Sequence, residues 1–169
     1  LTDFMIFTIF VLGYDMLYGY MGRLSFGHML YMGTGAYAAT MFGVYVSSNP
    51  FLAILAGIAA GALIGFVLGP ITVKSSGSTF ALINTAFNQV GYFLVLTPLA
   101  KYTGGEDGLG AYFEQIGPLD FYDPRVRFGV TLVSLLLVFF LVKKLTSSPF
   151  GILLRSIKEN ETRVKFLGY

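Results

Sequence analysis

Arg23 is followed by an uncharged, glycine-rich hydrophobic run, LSFGHMLYMGTGAYAATMFG and on to Val46, which carries the only histidine of the chain, His28. Further hydrophobic runs flank it on both sides, and this arrangement constrains the fold more than any other feature. A hydrocarbon layer about 30 Å thick is crossed by about 20 apolar residues rising 1.5 Å each. Five stretches satisfy that need, near 2–22, 25–46, 51–73, 79–100 and 126–142. Of the 169 residues, 55% are hydrophobic and 12% charged, against roughly a quarter charged in water-soluble domains. The fold class expected is therefore all-α: a polytopic transmembrane helix bundle of about five spans, followed by an amphipathic helix on the cytoplasmic side. The first run lacks the basic leader and small-residue cleavage site of a signal peptide and is followed directly by more spans.

Charge placement orients the bundle. If the third span ends inside at Lys74 and the fifth at Lys143, the cytoplasmic segments hold Arg23, Lys74, Lys143, Lys144, Arg155, Lys158, Arg163 and Lys165, eight of the eleven basic residues. The positive-inside rule then puts the N-terminus of the chain outside and the C-terminus in the cytoplasm. A net charge of +2 is too small to imply a nucleic-acid partner. With no cysteine, disulfides, thiolate catalysis and cysteine-ligated metals are excluded.

Along the chain, Asp15 stands near the inner end of the first span. A charge costs about 2.5–3.5 kcal/mol at mid-membrane and less toward the interface, so it should face a helix or water; local pairing with Arg23 is the simplest outcome. Gly19, Gly22, Gly27, Gly33 and Gly35 follow, with Ser25 and His28 among them. Each glycine weakens a helix by about 1 kcal/mol relative to alanine, so a break is expected over Gly19 to Gly27. Broken helices with polar residues at the break are where transporters bind solutes, but the segment also reads as a tight turn with His28 at the interface. Gly35, Ala39 and Gly43, and then Gly57, Gly61, Gly65 and Gly69, form stripes of small residues along which helices pack closely in lipid. Pro70 is expected to kink or end the third span.

The fourth span carries Asn84, Thr85, Asn88 and Gln89 inside the membrane. Asn84 and Asn88 share a face, with Gln89 on the adjacent one. They can line a hydrated solute path, or bond to other helices, a contact averaging about 0.6 kcal/mol. The outer segment KYTGGEDGLGAYFEQIGPLDFYDP, Lys101 to Pro124, is acidic and rich in turn residues including Pro118, but lacks the ligand spacing of a calcium loop. It serves as a docking surface or as a solvated loop. The last segment opens with Ser148, placed to cap a helix, and Pro149, suited to its first turn. Phe150, Leu153, Leu154, Ile157 and Val164 fall on one face, so this helix can lie on membrane lipid or dock into a partner protein.

Three motifs in order, GYMGRLSFGHMLYMGTGAYAA at Gly19 to Ala39, TGGEDGL at Thr103 to Leu109 and SPFGILLRSIKENETRVKFLGY at Ser148 to Tyr169, resemble the permease family of bacterial and archaeal ABC importers for branched-chain amino acids, a branch of which handles urea and short amides. The resemblance covers nearly the whole chain. It implies a permease in the plasma (inner) membrane that works with a second permease subunit, two cytoplasmic ATPase subunits and an extracytoplasmic solute-binding protein. By that resemblance Pro149, Gly151, Arg155, Glu159, Asn160, Glu161 and Gly168 belong to the segment that meets the ATPase, while Thr103, Gly104, Gly105, Asp107 and Gly108 form the outer-loop motif. Ser25, His28, Asn84, Asn88 and Gln89 are the candidates for the translocation path. Ile152 stands where the family often has arginine, and Asp15 where asparagine is usual.

On this view residues 1–147 form a transmembrane permease domain, in part, and 148–169 a cytoplasmic coupling segment. The chain starts with Leu1 in a hydrophobic run and stops where related permeases continue, which is expected of a fragment or a truncated product. No GxxxxGK[ST] phosphate loop occurs, so ATP would be hydrolysed on a separate chain. No enzyme activity, cofactor or metal is expected. The competing functions are an ion-coupled carrier or channel using Asp15 and His28, and a truncated, non-transporting membrane protein.

Overall fold

A computed structural model describes residues 1–75, 77–116 and 120–166, apart from the side chain of Lys165. Pro118 and Gly168, singled out above, lie outside the described residues. Helix α1 (Thr2–Asp15) passes directly into a π turn (Met16–Tyr20), and α2 (His28–Tyr45), α3 (Pro50–Thr72), α4 (Gly77–Leu96), the short α5 (Ala100–Thr103), α6 (Pro124–Thr146) and α7 (Pro149–Phe166) follow. The architecture is all-α, with helix at each of the five places where a span was expected.

Helices α3, α4 and α6, of 23, 20 and 23 residues, are long and apolar enough to cross a membrane. The π turn shortens α1, and α2 is diluted by glycine, threonine and tyrosine. Helix starts follow local chemistry. The Asn49 side chain accepts hydrogen bonds from the Phe51 and Leu52 amides at 3.0 and 3.4 Å, and Pro50 fills the first helical position. Asp123 and Pro124 repeat the device at α6, where the carboxylate accepts from the Arg125 amide at 2.8 Å. Pro70 is held inside α3, which ends two residues later at Thr72.

The chain divides into two compact units, Leu1–Ser25 with Tyr122–Tyr169, and Phe26–Phe121. In the first, α1 packs along α6, and α7 returns onto the π turn. In the second, α2 packs mainly on α3 and also on α4. The small-residue stripe sets the α2–α3 approach: a methyl group at Gly57 would stand 2.8 Å from the Gly35 carbonyl oxygen and 3.2 Å from the Ala39 Cβ. Gly43, expected in the same stripe, meets a different neighbour, since a methyl there would lie 2.7 Å from the Phe113 ring.

Burial runs opposite to that of a water-soluble protein. Among the described residues the buried apolar set is small, comprising Met5, Ala53, Phe80, Ala81, Leu154 and Val164, while Phe66, Leu63, Val133 and Phe140 face outward. An apolar exterior costs nothing against lipid tails, so contacts within each unit rest on close packing of small residues rather than on hiding large ones.

Candidate functional site

The polar flank of α4 faces the start of α2. Gly27 immediately precedes α2, and a Cβ on it would come within 2.9 Å of both the Cβ and the carbonyl oxygen of Asn84. Asn84 is buried beneath this glycine and donates its amide to the Phe80 carbonyl of its own helix at 2.8 Å. Thr85 does likewise with the Ala81 carbonyl at 2.9 Å. Asn88 lies half-buried one turn along, Gln89 is exposed, and Gly91 meets the Leu30 side chain. His28 opens α2 half-buried, its ring edge-on to Tyr31 at 6.1 Å. The structure thus brings Gly27 against Asn84 and Leu30 against Gly91 along one helix contact, with Asn88 placed on the Asn84 face of α4 by its spacing alone. Ser25 is buried and is the last residue of the first unit's N-terminal segment.

The Thr103 motif forms a knot at the end of α5. Thr103 is 1% exposed, and its hydroxyl lies 2.7 Å from the Val95 carbonyl and 3.0 Å from that of Leu99. Gly104 has φ +79°, and a methyl on it would run into the Gly108 carbonyl oxygen, so only glycine closes the turn. Gly105 and Gly108 also have positive φ, and Glu106 and Asp107 point into solvent. The segment beyond reaches back to the α2–α3 turn, where the Glu114 amide donates to the Ser48 carbonyl at 2.9 Å.

Helix α7 is seated on the π turn of its own unit. The Lys158 ammonium donates to the Gly19 carbonyl at 2.8 Å, the Arg155 guanidinium lies 5.1 Å from the Tyr20 ring centroid, and Glu161 pairs with Arg23 at 3.0 Å. The expected partner of Arg23 is thereby corrected: Asp15 curls over Gly19 instead, occupying the space a side chain there would need. Asn160 has φ −158° and ψ 93°, an extended residue between two helical pieces, and its side-chain oxygen accepts from the Arg163 amide at 2.9 Å, capping the second piece. Ser148 does not cap α7 with its hydroxyl, which donates to the Leu145 carbonyl at 2.6 Å and so closes α6. Gly151 is buried against the Thr146 carbonyl, where any Cβ would collide, so the α6–α7 turn requires glycine. Leu154 and Val164 are buried as the amphipathic pattern indicated, Phe150 is exposed, and Glu159 points outward. Among the described residues no group of three or more histidine or acidic side chains converges as a metal site.

The family described as the permease component of the branched-chain amino acid transport system matches residues 1–169. The chain belongs to this permease family. As a family member with three helices fit to cross a membrane, it is an integral membrane protein. Among curated proteins, this permease chain is similar to the "Probable branched-chain amino acid transport permease protein LivM" of Methanocaldococcus jannaschii, at 26% identity over 98% of its own length and 57% of that protein. It is also similar to the "High-affinity branched-chain amino acid transport system permease protein LivM" of Escherichia coli K12, at 28% identity over 97% of its length and 44% of that protein. The Salmonella typhimurium protein of the same name gives 28% over 99% and 45%. The chain therefore spans about half the length of the curated relatives it matches. No solved structure matches it.

The π turn, the break at Asn160 and the pairing of Arg23 with Glu161 escaped sequence reasoning. The glycine cluster and the charges of the last segment were visible, but nothing in their spacing indicated that the two meet.

Proposed function

We propose that the chain forms part of the membrane-spanning permease of an ATP-driven importer, carrying branched-chain amino acids or related small polar solutes across the bacterial or archaeal inner membrane. The observation that carries this reading is the family match over the entire chain. The N-terminus of the chain lies outside and α7 in the cytoplasm, where the basic residues concentrate. Solute passes along the α2–α4 contact, with His28, Asn88 and Gln89 as the polar groups available and Asn84 as the packing residue beneath Gly27; Ser25 joins this set by the family resemblance alone. The Thr103 turn faces the solute-binding protein, with Asp107 exposed for contact. ATP is hydrolysed on the partner subunits, and α7 receives their motion through its outward residues, Glu159 among them, with Pro149 and Gly151 fixing its start. A second permease subunit completes the pore.

The test uses a full-length parent assembled with its partners in proteoliposomes. Uptake of labelled leucine should require ATP inside and the binding protein outside. Asn88→Leu should lower uptake about tenfold or more, the scale of a polar contact made to the moving solute, with assembly intact. Uptake that survives without ATP but collapses with a proton ionophore would instead establish an ion-coupled carrier. Equal loss of uptake and assembly in Asn88→Leu would make that residue a packing group.

A further inference from the structure

We infer that Arg155, Lys158 and Glu161 tie α7 to the C-terminal end of the first helix, so that the two move as one body and displacement of α7 is delivered to the chain ahead of α2. The inference rests on the reading of α7 as the coupling element and assigns these three, with Arg23, as positioning residues.

Each contact answers a need of the π turn. A helix that ends leaves its last carbonyls without amide donors and its C-terminus partly negative. The Lys158 ammonium meets both conditions at the Gly19 carbonyl, 2.8 Å away. Its stem can approach because residue 22 is glycine: a Cβ there would stand 2.8 Å from the Lys158 Cγ. Arg155 lies over Tyr20, the last residue of the π turn, at 5.1 Å. Arg23, whose side chain is 10% exposed, has Glu161 at 3.0 Å, and the glutamate itself is 32% exposed, so the pair is shielded from most solvent screening.

The placement of the three along α7 matters as much as their chemistry. Arg155 and Lys158 precede the extended residue Asn160, and Glu161 follows it. A helix attached only through its turn from α6 would swing about that turn, and its second piece would swing again about Asn160. Fastening the first piece to the π turn and the second to Arg23, three residues beyond it, removes both freedoms, so a push on the exposed face is transmitted rather than absorbed.

The test takes the full-length permease in its assembled importer and compares Arg23→Glu, Glu161→Arg and the double exchange. Each single reversal should lower uptake about tenfold, within the usual range for coupling between sites, while the ATPase still co-purifies and still turns over ATP. The double exchange should recover most of the lost uptake. A further variant, Lys158→Met, keeps the stem beside Gly22 and removes the bond to the Gly19 carbonyl; it should lower uptake in the same direction. Single reversals with full uptake, a double exchange no better than its singles, or full uptake in Lys158→Met would each overturn the tie. If Glu161→Arg detaches the ATPase and the exchange does not restore it, Glu161 is an ATPase contact, which sinks the tie and leaves the proposed function standing. Failure of the unmodified parent to import would sink the proposed function itself.

Discussion

Thr103 shows how a residue prominent in the sequence can have its reason hidden from it. Its place in a glycine-rich motif was apparent, yet its hydroxyl is turned inward to the Val95 carbonyl at 2.7 Å rather than outward to a partner. Thr103→Val keeps the shape and removes the bond, leaving buried polar groups unsatisfied at a cost of about 1–3 kcal/mol. The melting midpoint of the full-length protein in detergent should fall, and Thr103→Ser should largely preserve it. Gly104→Ala should be worse than either, because positive φ and the Gly108 carbonyl both oppose a side chain. Arg23 teaches the complementary lesson. Its nearest acid in sequence is Asp15, eight positions away, but sequence proximity says nothing about a helix that arrives 138 positions later.

At the scale of the element, the cap expected at Ser148 failed, its hydroxyl closing α6 while Asn49 and Asp123 cap α3 and α6. The spans and the glycine break between α1 and α2 were legible, because apolar runs and glycine clusters act within a few residues. The interior of α7 was not, since the amphipathic pattern continues through Asn160 although the backbone there is extended. Asparagine is an ordinary residue in a helix and a favoured one at its start, and only the packed structure decides which role it takes. Asn160→Ala should lose the bond to the Arg163 amide and cost roughly 1 kcal/mol, while Asn160→Asp should retain it. Amide hydrogen exchange over 161–166 is the direct measure: faster exchange in the alanine variant alone is the expected result.

At the scale of the molecule, an orientation follows from the charges. Single cysteines at Ser48 and Tyr112 should react with an impermeant reagent from outside, and one at Ser156 only after the membrane is opened, with the background set by a chain that has no cysteine of its own. Labelling in the reverse sense at Tyr112 and Ser156 would invert the topology. The small-residue contact of α2 with α3 was readable as spacing. The division into two units was not, because the first is assembled from the two ends of the chain, and no local pattern announces which distant segments will meet.

The bond from Lys158 to Gly19 spans 139 positions, and this sets an order on biogenesis. At about 5–20 residues per second of synthesis, the end of the first helix waits on the order of ten seconds before the residues that close it exist. Until then the Gly19 carbonyl must be satisfied by water, headgroups or the insertion machinery. Closure of this joint therefore waits until synthesis has passed Lys158, long after α1 itself has formed.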